Sequence, residues 1–181
     1  MPRLIHLNGP SGVGKSTIAQ LYTDRHAGVL NLDTDQIVSL IGGWQDDFWT
    51  ALRAGRVLAI AMAETHLRTG HDVVMPQLTT RLEEIEGFEA AAARGGAEYR
   101  EIVLTVEKPR MLDRFARRIA GEHAARHRHM DEIVTRGGGP ILLERIHDHL
   151  TAYLGTRPDC RIVPTDGLSP EQTYAEVIRL R

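Results

Sequence analysis

From Leu4 the chain reads LIHLNGPSGVGKSTIAQL: an apolar run, a glycine-rich turn, then a helical pattern opening at Lys15. No other feature restricts the fold as much. An apolar run that enters a tight glycine loop and leaves as a helix is a strand–loop–helix unit, and the strand after such a helix returns parallel to the first. The rest of the chain repeats that alternation. Short apolar runs at 3–8, 29–33, 72–77, 101–107 and 161–165 read as strands covered on both faces. Helical patterns at 15–25, 48–68, 80–94, 109–120, 140–154 and 170–180 lie between and after them, three of them opening on proline, where its missing N–H costs nothing. Residues 48–68 contain VLAIAMAETHL, apolar nearly all round, which predicts a buried crossover helix. The expected architecture is α/β: about five parallel strands joined by right-handed crossovers. The 181 residues fit a single domain, 1–181, with no repeat or linker to divide it.

Gly9, Gly14, Lys15 and Ser16 satisfy G-x-x-x-x-G-K-[ST] in the required strand-to-helix setting. The glycines let successive backbone N–H groups point inward at phosphate oxygens, and the helix N-terminus adds partial positive charge. The predicted phosphate-binding set is Gly9, Ser11, Gly12, Val13, Gly14, Lys15, Ser16 and Thr17, with Lys15 reaching the outer phosphates and the Ser16 hydroxyl on Mg²⁺. Lys15 stands out because Lys108 is the only other lysine.

A nucleotide grip serves a switch, a motor or a transferase. A GTPase switch needs a base-reading Asn-Lys-x-Asp and an Asp-x-x-Gly loop, and neither occurs. A motor needs an apolar strand closing on an acidic residue, but DVVMPQLTTR closes on Pro76-Gln77. VLNLDTDQI instead supplies Asp33 and Asp35 beyond the second strand, where open parallel sheets bind ligands. Asp33 is expected to meet Mg²⁺ or its waters, and Asp35 to orient an acceptor hydroxyl or take its proton. Both also suit helix caps, Asp35 especially.

GPSGVGKS and LDTDQI, with an arginine-rich helix after the fourth strand, resemble the small P-loop kinases. That group includes shikimate kinase, gluconate kinase, adenylylsulfate kinase and chloramphenicol phosphotransferase. The Pro76-Gln77 ending looks more like the tunicamycin-resistance and zeta-toxin-like ATPases. The resemblance implies a three-layer fold with strand order 2-3-1-4-5, ATP with Mg²⁺, and transfer of the γ-phosphate to a small-molecule acceptor. It also implies a cap over the acceptor at about 36–56, a helical lid at about 114–137 and a base-side loop at 162–169. Arg114, Arg118 and Arg126 are then candidates for stabilising the transferring group as the lid excludes water. His123, His127 and His129 in the same stretch read as lid surface rather than a metal site.

On the acceptor side the candidates are Asp35, Trp44, Gln77 and Arg81, with Trp49 and Phe48 as further aromatics in the cap; core packing suits at least one tryptophan better. Arg81 is expected to hold an anionic acceptor if there is one. A formal charge of −2 gives no overall attraction to nucleic acid or to an anionic membrane. A single cysteine, Cys160, rules out an internal disulfide. With no signal-peptide pattern and no bilayer-length apolar stretch, the expected location is the cytoplasm. Two other readings stay open: a nucleotide-dependent resistance protein that sequesters a small molecule, and a toxin-like or nucleic-acid-end kinase.

Overall fold

Strand β1 (Arg3–Asn8) sends Ile5 and Leu7 to one face of a sheet and Leu4, His6 and Asn8 to the other, and five of its six residues are buried. A computed structural model, describing residues 1–120, 134–135 and 138–181, places β1 at the centre of five parallel strands in the order β2-β3-β1-β4-β5. β3 (Val73–Met75) and β4 (Glu98–Thr105) flank β1, and β2 (Leu30–Asn31) and β5 (Arg161–Pro164) form the edges. The expected order 2-3-1-4-5 is therefore observed.

Four strands, β2, β3, β4 and β5, end one or two residues before the sequence expectation, and for the first two the reason is local. Pro76 has no N–H to give a ladder, which ends β3 at Met75. Beyond Asn31, Leu32 still donates to Val74 O at 2.8 Å, but the chain then turns into a short helix. β4 begins three residues earlier than the apolar run, because Glu98, Tyr99 and Arg100 pair with Arg3, Leu4 and Ile5. Pairing with a central strand overrides their polarity.

The helices cover both faces. On one, α1 (Lys15–Arg25), α5 (Lys108–Ala120) and α7 (Pro170–Leu180) pack Ile18, Tyr22, Met111, Phe115, Tyr174 and Val177 against Ile5, Leu7, Val74, Ile102, Leu104 and Val163. On the other, α3 (Phe48–Leu67) and α4 (Leu82–Arg94) set Ala59, Ala63, Leu67, Phe88 and Ala92 on Leu4, Val73 and Met75. Each fully buried large side chain here contributes about 1.5–3 kcal/mol. α2 (Thr34–Ser39) and α6 (Pro140–Leu154) complete the described helices.

The expectation of a buried crossover helix at 48–68 is corrected. α3 has one neighbour layer, so its alanine-rich side meets the sheet while Val57, Leu58 and Met62 are 68%, 49% and 43% exposed. An all-round apolar composition overstates burial when only one side has something to pack against. No described helix is long and apolar enough to cross a membrane.

Candidate functional site

The central strand delivers the glycine loop to the carboxyl edge of the sheet. Gly9 has φ 140°, and a Cβ there would lie 2.4 Å from Leu104 O on the neighbouring strand. Gly12 (φ 79°) passes over α5 beside Arg114 and Phe115, and Gly14 (φ 106°) caps α1 with open space where a side chain would be. The first N–H groups of α1 have no intrahelical partners. Lys15 lies back across the loop, its Nζ donating to Gly9 O at 2.7 Å and Pro10 O at 2.9 Å. A lysine tethered to carbonyls of its own loop stands beside the place where phosphates would sit. The residues therefore fit a nucleotide triphosphate, with Ser16 half-buried on the first turn of α1.

A cleft of about 280 Å³ opens beside the loop, lined among others by Gly12, Gly14, Thr17, Arg114, Thr165 and Pro170. Arg114 is fixed there rather than swinging free: its guanidinium donates to Thr165 Oγ1 and Thr165 O, both at 3.1 Å. Thr165 Oγ1 in turn donates to Thr105 O at 3.0 Å, so the arginine is anchored to the ends of β4 and β5. Of the other residues in the base-side loop, Ser169 forms a capping box with Gln172 at the start of α7, and Asp166 accepts from Glu107 N at 3.0 Å. They are a cap and a turn. Arg117 is bound to Asp113 on its own helix and Arg110 lies 3.7 Å from Asp166. Arg126, His123, His127, His129 and the side chain of Arg118 lie outside the described residues.

Asp33 and Asp35 occupy the loop after β2 and the first turn of α2. The cap is Asp33, not Asp35: Asp33 Oδ1 accepts from Asp35 N at 3.1 Å. That bond leaves the second oxygen of Asp33 for other partners. Asp35, in the first turn of α2, lies within electrostatic range of Arg56 on α3.

Arg56 is the residue that sequence reasoning missed. It stands directly before the apolar run VLAIAMAETHL, where nothing local marks it out. In the fold it sits where α2, α3 and the start of α4 meet, paired with Glu84, each side chain about one-sixth exposed. Burial holds the Arg56 guanidinium below its ordinary value, while Glu84 pulls it the other way. Arg81, expected to face an acceptor, is 3.7 Å from the same Glu84 and largely exposed. Gln77 is buried, with its carbonyl accepting from His6. Trp44 packs on a small cluster of Val38, Ala51 and Leu52, and Trp49 stays exposed, edge-on to Phe48 at 5.3 Å.

Behind the loop runs a buried polar network. Asn8 uses all four of its amide positions: Oδ1 accepts from Gly9 N (2.8 Å) and Thr79 N (3.1 Å), while Nδ2 donates to Thr79 O (2.6 Å) and Glu101 Oε1 (2.8 Å). Tyr153 donates to Glu101, and Arg157 lies 3.3 Å from it. His6 Nε2 must donate to Gln77 O (2.8 Å), so its Nδ1 accepts from the Tyr99 hydroxyl (2.7 Å). That fixes a neutral tautomer, in keeping with burial pushing the His6 pKa down and that of the Tyr99 phenol up. The network ties the glycine loop to the segment after β3.

A family model described as an AAA domain matches residues 4–135. No curated protein matches the chain. Among solved structures it is similar to a Deinococcus radiodurans tunicamycin resistance protein (TM-score 0.62, 16% identity, 98% of this chain and 94% of that one). It is also similar to a proposed kinase from Chloroflexus aurantiacus (0.69, 17%, 98% and 94%) and to a gluconokinase from Sinorhizobium meliloti (0.54, 16%, 99% and 93%). At these identities the likeness is one of fold, and the resemblance to small P-loop kinases holds at that level.

Proposed function

Because the chain belongs to the AAA domain family, and carries that family's match across its glycine loop and both aspartates, we propose that it is a kinase. It moves the γ-phosphate of ATP to a hydroxyl of a small-molecule acceptor. The observation that carries this reading is the grouping of Asp35, in the first turn of the helix that follows β2, with the Arg56–Glu84 pair. A hydrolase would be expected to present a carboxylate after β3 for metal and water. This chain has Pro76 and Gln77 there, and its carboxylate lies instead on α2, next to the acceptor side.

Each residue then has a task. Lys15 leaves Gly9 O and Pro10 O to meet the outer phosphates, and the loop N–H groups hold the rest. Arg114, anchored on Thr165, lines the cleft on the base side and is better suited to holding the nucleotide than to following a moving phosphate. Ser16 and Asp33 would hold Mg²⁺, which when bound neutralises charge on the phosphate oxygens. Asp35 orients the acceptor hydroxyl and takes its proton. Arg118 and Arg126 remain candidates to stabilise the transferring group from the lid.

The test is γ-labelled ATP with Mg²⁺ and a metabolite extract. The wild-type protein is expected to yield a labelled small product. Lys15→Ala abolishes it, and Asp35→Asn retains ATP affinity while transfer falls about 100-fold or more. Nucleotide binding with no labelled product from wild type would leave a sequestering protein, and an undiminished rate in Asp35→Asn would remove that residue from its role.

A further inference from the structure

The segment after β3 holds more buried polar atoms than its own bonding uses. Gln77 is 8% and Thr79 1% exposed, yet Gln77 Oε1 and Thr79 Oγ1 have no hydrogen-bond partner among the described residues. Glu84, on the first turn of α4, turns Oε1 to the guanidiniums of Arg56 and Arg81. Its Oε2 is buried without a partner, and so is Arg56 Nε. Native interiors satisfy nearly all such groups. Here four exceptions fall on residues 77–84 and on the side chain paired with them. Arg56 lies within electrostatic range of Asp35, and Thr79 is held in register with the phosphate loop, because Asn8 binds both Gly9 and Thr79.

Charge decides what completes them. Arg56 is answered by Glu84 and, at longer range, by Asp35, and Arg81 is answered by Glu84. The two arginines are balanced only by Glu84 and Asp35 together, which leaves the group no surplus charge for an anion. A carboxylate or phosphate seated here would have to take Arg56 from Glu84 and strand a mostly buried carboxylate beside Asp35, which is unfavourable. A hydroxyl, which donates and accepts at once, suits an immobilised ion pair offering one spare acceptor and one spare donor.

We propose that the acceptor is a neutral, hydroxyl-rich small molecule whose hydroxyls are read by the Arg56–Glu84 pair together with Gln77 and Thr79. This rests on the kinase reading above and adds the acceptor's class. One hydroxyl donates to Glu84 Oε2 and accepts from Arg56 Nε, neighbouring hydroxyls engage Gln77 and Thr79, and the reacting one faces Asp35. Its oxygen bonds to the γ-phosphorus as the bond to the bridging oxygen breaks. ADP leaves with the electron pair, and the hydroxyl proton goes to the Asp35 carboxylate. On this proposal Arg81, 3.7 Å from Glu84, has no anionic acceptor to hold.

The experiment splits a metabolite extract by anion exchange into neutral and anionic fractions and incubates each with the protein, Mg²⁺ and γ-labelled ATP. Labelled product from the neutral fraction, at least about tenfold above the anionic one, is the expected result. Product mainly from the anionic fraction overturns the proposal and leaves the kinase reading intact. No product from either fraction, with ATP bound, overturns both. Glu84→Gln removes the charge that answers Arg56 and Arg81. In that variant product from the neutral fraction falls and product from the anionic fraction rises about tenfold, with ATP affinity retained as the check on folding. An unchanged ratio in the folded variant overturns the role of the pair.

Discussion

Gly9 and Gly14 both have positive φ, but different neighbours constrain them. At Gly9 a methyl group would meet the backbone oxygen of Leu104 at 2.4 Å, which the central sheet cannot yield. At Gly14 the space is open and only the dihedral resists a side chain. Gly9→Ala is therefore expected to cost about 3 kcal/mol, and Gly14→Ala about 1 kcal/mol, read from urea midpoints. Similar losses for the two would mean that the contact with β4 does not matter. The same scale explains Arg56. An arginine in such a helix is ordinarily a surface residue, and only its approach to Glu84 and Asp35, residues distant in sequence, sets Arg56 apart from Arg53.

Between elements, the decisive contacts are polar and buried. Asn8 at the end of β1 holds the glycine loop, the segment after β3 and Glu101 of β4, and Tyr153 of α6 closes the far side. Removing the amide strands several of these groups at once. Asn8→Ala is expected to lose about 3 kcal/mol by chemical denaturation, a cost near that of leaving two buried groups unpaired. Asn8→Asp keeps the acceptor oxygens but replaces a donor beside Glu101, so it should destabilise too. A neutral outcome for both would show that the network is not needed to position the loop. Element ends follow from local chemistry: Pro76 closes β3, Asp33 and Asp47 cap α2 and α3, and Ser169 with Gln172 caps α7. The strand reading through 77 overlooked what Pro76 does, and Asp33 rather than Asp35 takes the first cap.

At the scale of the whole molecule, stability should depend on pH through His6. It is buried at the sheet centre, neutral, with a pKa held below the ordinary 6.5 chiefly by desolvation, against the opposing pull of Glu101. Below pH 6.5 the unfolded chain takes up a proton that the folded one refuses. The stabilisation is thus complete above that value and drains away as pH falls toward the lowered folded value. The thermal midpoint is expected to drop between about pH 7.5 and about pH 5.5 more steeply in wild type than in His6→Gln. Parallel curves would mean that His6 titrates alike in both states.

The sequence alone determined the strand–loop–helix unit, the parallel sheet around it and the helix starts to within two residues, because these depend on neighbours a few positions apart. Backbone dihedrals, caps and apolar periodicity all act over that range. Only the tertiary structure decided that Arg56 pairs with Glu84 within range of Asp35, that Glu84 answers both nearby arginines, that α3 keeps an exposed apolar face and that Arg114 is anchored on Thr165. Each of those depends on which charges and surfaces the sheet order brings together, and electrostatic pairing and burial are properties of distance in space.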